Sequence, residues 1–192
     1  SGDVGKSSTG LELLKHNQKG NSIKKHLEPE SRLYLARKLA KIGVNSMIDV
    51  SDGVASEVKH ICNESGVGAI IYADKIPISK NTKNDAIKLK KNPIDFALYG
   101  GEDFELIFTV SKNKLNKFKK YDVKVIGKIV AKKYGIKLIE SYRNFVSGEL
   151  KQRKSKISVD LKTKFSNNKK FLSNNKKTNL GDGFDHFKRL NV

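Results

Sequence analysis

Met47-Ile48-Asp49-Val50-Ser51-Asp52-Gly53 ends a short apolar run in two carboxylates three residues apart, and an apolar stripe at helical spacing follows: Val54, Val58, Ile61 and Cys62, ending at Gly66. The pattern predicts a buried strand over 46–50, a Ser51-Asp52 cap, a helix and a glycine stop. A strand end facing a helix N-terminus offers free backbone N–H groups and the positive end of a dipole, which suit phosphate. Two aspartates beside it suit a hard divalent cation such as magnesium. Together they point to nucleotide chemistry. The plainer alternative is that Ser51 or Asp52 only caps the helix and Asp49 is an exposed strand-end acid; a capping hydroxyl and a phosphate-binding one need the same orientation.

Upstream, 11–14 reads as a helix end and 17–22 as a polar connection. Pro29 suits a first helical position, Leu33, Ala36, Leu39 and Ala40 give a helix over 30–41, and Gly43 stands where a left-handed cap is wanted. Downstream, 67–73 is β-branched and alternating, Ile76-Pro77-Ile78 turns the chain, and a lysine-rich helix is expected around 84–91. A strand over 104–110, a helix over 113–120 and strands near 124–130 and 136–139 complete the alternation. The fold class is therefore α/β, a mixed sheet with helices packed on it.

A second unusual density lies at Gly100-Gly101-Glu102-Asp103, directly before the 104–110 strand. Paired glycines permit a tight turn or a close backbone approach. Two acid-bearing, glycine-containing junctions at sheet edges are what a phosphate and metal site assembled from several loops requires. His186, between Asp185 and Phe187, is readable as a general base or as a structural residue, and His16, His26 and His60 show no ligand spacing. Gly2-Asp3-Val4-Gly5-Lys6-Ser7 resembles a phosphate loop only superficially, because the four-residue gap before Gly-Lys-Ser is missing.

With 192 residues and 37% hydrophobic content the chain can bury a real core. Lysine and arginine number 39 against 20 acids, a formal charge of +19, which raises nucleic acid, an acidic membrane surface or an acidic partner. Much of the surplus sits in residues 151–177, where Asp160 is the only acid. That segment has Phe165 and Phe171 but no repeated stacking pattern, so a solvated loop is preferred to a nucleic-acid-binding module. Cys62 is the single thiol, which excludes a disulfide within one chain and makes a reducing cytoplasm the expected location. No run approaches membrane-spanning length, nothing N-terminal reads as a signal peptide, and with no initiator methionine at the start the expectation is a piece of a longer polypeptide. The organisation expected is a folded α/β domain over 1–140, a mobile basic insert over 141–179 without strand or helix period, and a tail over 180–192 that returns to the site.

The ordered set Asp49-Val50-Ser51-Asp52-Gly53, Gly66-Val67-Gly68-Ala69, Ala73-Asp74-Lys75-Ile76-Pro77, Leu98-Tyr99-Gly100-Gly101-Glu102-Asp103-Phe104-Glu105-Leu106 and Gly183-Phe184-Asp185-His186-Phe187 resembles the thiamine-monophosphate kinase family, within the aminoimidazole ribonucleotide synthetase-like ATP-binding superfamily. The resemblance covers about residues 1–139 and the tail, the C-terminal domain of that family. It implies an enzyme that moves the γ-phosphoryl of ATP onto thiamine phosphate with magnesium, giving thiamine diphosphate and ADP. By the same resemblance Asp49 and Asp52 are metal ligands, Ser51 an ATP contact, Glu102 a substrate contact and Phe184 an aromatic packing on the thiamine ring system. The implied partner is the family's N-terminal domain, absent here, which carries most of the metal and nucleotide contacts and forms the dimer core. The isolated chain is accordingly expected to be inactive. A superfamily enzyme of the aminoimidazole ribonucleotide synthetase type is the nearest alternative.

Overall fold

The computed structural model describes residues 1–141 and 156–160. Three helices open the chain, α1 (Lys6–Lys15), α2 (Ile23–Leu27) and α3 (Leu33–Ile42), followed by β1 (Ser46–Asp49), α4 (Val54–Glu64) and β2 (Val67–Tyr72). Then come α5 (Lys80–Lys88), α6 (Pro93–Tyr99), β3 (Leu106–Thr109), β4 (Gly127–Ala131), β5 (Ile136–Ser141) and β6 (Lys156–Asp160).

The strands form two sheets rather than one. β1 pairs antiparallel with β3, setting Asp49 opposite Leu106 and Met47 opposite Phe108. The second sheet has the order β4-β2-β5-β6, with β2 antiparallel to β4 and parallel to β5. The α4 stripe is as expected: Val54, Val58, Ile61 and Cys62 are all buried, and three of them join Ala69, Ile71, Leu98 and Leu138 in the main core. A smaller cluster of Leu39, Leu106 and Phe118 closes the outer side of β1 and β3, where the Phe108 and Phe118 rings stack 5.4 Å apart. Val50 is the hinge between strand and helix and is completely buried.

Gly43 takes the left-handed cap of α3 at φ 94°. Other expectations shift. β1 is half-buried along its length and ends in an exposed Asp49, so it is a sheet-edge strand and not a buried one. Pro29 does not open the second long helix, which begins at Leu33, because Arg32 is drawn aside onto Glu105. The 113–120 helix is a 3-10 turn over Lys112–Phe118, and the 84–91 helix lies earlier, as α5. The short α2 and α6 had no distinct periodic signal, and α6 starts on Pro93 with the Asn92 side chain accepting from the Ile94 N–H. Within the basic segment, Lys156–Asp160 pairs with β5 as an edge strand, where the sequence shows no strand period. Among the described residues no helix is long and apolar enough to cross a membrane.

Candidate functional site

The two acid-bearing loops lie against each other. The Val50 N–H donates to the Glu105 carbonyl (2.7 Å), the Phe104 N–H to the Val50 carbonyl (2.9 Å) and the Glu102 N–H to the Ser51 carbonyl (2.9 Å). These bonds carry the β1–β3 pairing past the strand ends into residues 50–51 and 102–105. They also overturn the predicted cap: neither Ser51 nor Asp52 caps α4, whose N-cap is Gly53 at φ 103° with no side-chain hydrogen bond. Residues 50–51 give their carbonyls to the second loop, so Gly53 must turn the chain before the helix can start.

One glycine in each loop serves that approach. A Cβ on Gly101 would lie 2.0 Å from the Ser51 carbonyl oxygen, and one on Gly53 would lie 2.6 Å from the Leu98 carbonyl oxygen. Both obstacles are backbone and cannot swing away. Gly101→Ala is expected to wedge the loops apart, costing about 1–3 kcal/mol, and to weaken any ligand that spans them; urea unfolding and ligand titration on the same variant check both effects. Beyond the glycines, Glu102 and Phe104 hold φ values of 66° and 50°. Left-handed backbone at ordinary residues costs of order 1 kcal/mol or more each and is tolerated where surroundings over-determine it, commonly at functional sites.

Asp49, Asp52 and Glu102 are all exposed at this junction, whereas Ser51 is half-buried. An open groove of about 490 Å³ runs up to Asp49, lined by Glu30, Arg32, Met47, Phe104 and Leu106 among others. Phe184, Asp185 and His186 lie outside the described residues. His26 bonds Ser7 through Nδ1 (3.1 Å), a structural contact.

Three buried acids frame the site; Asp103, expected beside Glu102 as an acid of the phosphate and metal junction, faces inward instead, and Glu105 and Glu57 had no expected role. Asp103, fully buried, accepts from the N–H groups of Gly5 (2.5 Å) and Ser7 (2.8 Å). It thereby caps α1 from a distant loop, because the N-cap residue Gly5 has no side chain to do so. The glycine-bearing start of α1 therefore spends amides on a carboxylate of its own protein, in keeping with its rejection as a phosphate loop. Glu105 is 1% exposed and accepts from Arg32 Nε (2.9 Å), Arg32 Nη2 (2.7 Å) and Lys25 Nζ (3.0 Å). Glu57 receives the Ser51 hydroxyl (3.3 Å) and the Asp52 N–H (3.1 Å) on Oε1. The available signal was the acid content of Gly-Gly-Glu-Asp-Phe-Glu itself; burial separates its members into exposed Glu102 and inward-facing Asp103 and Glu105.

Burial outweighs the two amide donors at Asp103 and pushes its carboxyl up to about 6 from an ordinary 3.8. The folded state then binds the proton more tightly than the unfolded one, so this group's contribution falls as pH rises from 3.8 to about 6. The loss amounts to about 3 kcal/mol at most. Asp103→Asn cannot titrate. Relative to wild type the variant should gain ground between pH 4 and pH 6.5, as read by urea midpoints at the two values, whereas a constant difference would contradict the shift.

Residues 2–139 match the family model described as AIR synthase related protein, C-terminal domain, and the chain belongs to that family. Within it, the chain is similar to thiamine-monophosphate kinases: 36% identical over 135 residues to that of Aquifex aeolicus (67% of this chain, 43% of the relative). It is 42% identical over 125 residues to that of Buchnera aphidicola subsp. Acyrthosiphon pisum (62% and 38%). The solved structure of AaThiL complexed with AMPPCP and TMP superposes with a TM-score of 0.64 at 35% identity, covering 72% of this chain and 45% of that one. The hydrogenase maturation protein HypE of E. coli shares the fold at 19% identity and a TM-score of 0.55. The chain thus spans under half the length of the curated relatives it matches.

Proposed function

We propose that this chain supplies the C-terminal half-site of a thiamine-phosphate kinase, in which the γ-phosphoryl of ATP passes to thiamine phosphate to give thiamine diphosphate and ADP. The observation that carries this reading is the backbone clamp between the Asp49–Asp52 and Gly101–Glu105 loops, which leaves Asp49, Asp52 and Glu102 exposed together at one junction. The likeness to relatives named thiamine-monophosphate kinase, one solved with AMPPCP and TMP, supports the choice of substrates.

Magnesium takes oxygen ligands and is commonly held by one or two carboxylates, with substrate phosphates and waters completing the shell. Asp49 and Asp52, both exposed and three residues apart, fit that demand as the protein's share of the oxygen ligands. Magnesium held there would neutralise charge on the transferring phosphoryl group. Ser51 would offer one hydroxyl to the nucleotide, Glu102 would contact the substrate, and Phe184 would pack on its flat cationic ring, a contact worth about 0.5–2 kcal/mol. The acceptor atom is already a phosphate oxyanion, so the site needs no general base, and alignment and charge compensation carry the rate.

The relatives' extra length is the natural source of the remaining contacts, and on this reading the full-length enzyme is a cytoplasmic homodimer with residues 1–140 as its C-terminal domain, 141–179 as a basic insert and 180–192 bringing Phe184 to the site. Mixing this chain with a separately made N-terminal half tests the reading. ATP-dependent formation of thiamine diphosphate is expected from the mixture and not from either part; phosphorylation of a different acceptor would overturn it.

A further inference from the structure

Glu57 is a buried acid bonded directly to the proposed metal loop, and that reaction has no use for it. It is 1% exposed, in the first turn of α4, yet it reaches back past the helix start to Ser51 and Asp52. Gly53 lacks a capping side chain, and the Glu57 carboxylate does not replace one: it accepts from the amide of Asp52, the residue before the cap, and so ties the preceding loop to the helix. Burying a carboxylate costs several kcal/mol unless it is paired. Buried Glu105 and Asp85 each have a salt-bridge partner, whereas among the described residues Glu57 makes none. An apolar side chain of similar size would serve packing alone at lower cost.

We infer that Glu57 is a positioning residue for the Asp49–Asp52 loop: it fixes the Asp52 amide and the Ser51 hydroxyl from beneath, leaving the Asp52 carboxylate turned outward for a divalent cation. The opposite side of the loop is fixed by the Glu102 and Phe104 amides on the Ser51 and Val50 carbonyls. The hydroxyl bond, at 3.3 Å, is the weaker of the two contacts. Ser51 has one hydrogen to give, so a phosphate oxygen claiming it takes it from Glu57, while the Asp52 amide stays held.

This inference rests on the metal role proposed for Asp49 and Asp52, and Glu57→Leu tests it with readouts that do not require turnover. In the chain itself, amide hydrogen exchange at Asp52 should speed up about tenfold or more and Mn²⁺ affinity should fall about 10-fold, as for other residues that orient metal ligands, while the urea midpoint stays level or rises. Unchanged Asp52 exchange and unchanged Mn²⁺ affinity would overturn it. Should Glu57→Leu not fold, Glu57→Gln keeps the shape without the charge, and a several-fold loss of Mn²⁺ affinity is expected; wild-type affinity would again overturn the inference. A wild-type chain that binds no Mn²⁺ would count against the metal role alone, and Asp52 exchange in the variant would still decide whether Glu57 holds the loop.

Discussion

Asp49→Ala combined with Asp52→Ala in the full-length enzyme is expected to lower kcat/KM for phosphoryl transfer at least about 10³-fold, about 4 kcal/mol of transition-state stabilisation. Phosphoryl transfer gives the protein little covalent chemistry to perform. On the proposed reading these oxygens would hold the metal, and losing them would remove charge compensation for the donor's polyphosphate and alignment of the two substrates at once. Both side chains are exposed, and the clamp between residues 50–51 and 102–105 is made of backbone hydrogen bonds. The fold should therefore tolerate the double change within about 0.5 kcal/mol. A large kinetic loss beside an unchanged urea midpoint separates a ligand role from a structural one. Kinetics within tenfold of wild type would remove the metal assignment.

The largest stability effect is expected at Arg32. Its guanidinium makes two ion pairs of very different standing: one to Glu105, 1% exposed and gripped by both Nε and Nη2, and one to Glu30, 75% exposed. Arg32→Ala leaves the Glu105 carboxylate buried with Lys25 as its remaining cation, and should cost about 3 kcal/mol. Glu30→Ala should cost well under about 1 kcal/mol, because an exposed pair is screened by solvent. Burial pushes the Glu105 carboxyl up, but hydrogen bonds from Arg32, the Ser1 hydroxyl and Lys25 together hold it below its ordinary range. The contribution is therefore fully present above the unfolded value of 4.5 and lost as pH falls through the lower folded value. The Arg32→Ala deficit should shrink accordingly in acid. Chemical unfolding at pH 7 and at pH 4 measures both effects, and a pH-independent deficit would contradict the ion-pair account.

Most of what locates the site could be read from residue order because it depends on local chemistry. The α4 stripe and the Gly43 cap follow from helical spacing and left-handed backbone, and both hold in the structure. Two acid-bearing loops were also predictable from composition; that they run side by side was not, since the bonds joining them link residues about fifty positions apart. Arg32 illustrates the general difficulty. Pro29 and the stripe after it fit a helix from residue 30, but a buried acid far along the chain takes Arg32, and the helix starts later. The Ser51-Asp52 cap failed for the same reason: local preference for a cap yielded to long-range backbone pairing. Burial was the property hardest to foresee. In Glu102-Asp103-Phe104-Glu105, successive acids face solvent, the α1 amides, and the Arg32 and Lys25 cations, and only the packed fold assigns each its direction.

Anomalous diffraction from crystals of the full-length enzyme grown with Mn²⁺ and a non-hydrolysable ATP analogue bears most directly on the metal assignment. A manganese peak bonded to carboxylate oxygens of Asp49 and Asp52 and to a phosphate oxygen of the analogue is the predicted result. A nucleotide-bound metal whose protein ligands include neither aspartate would contradict it.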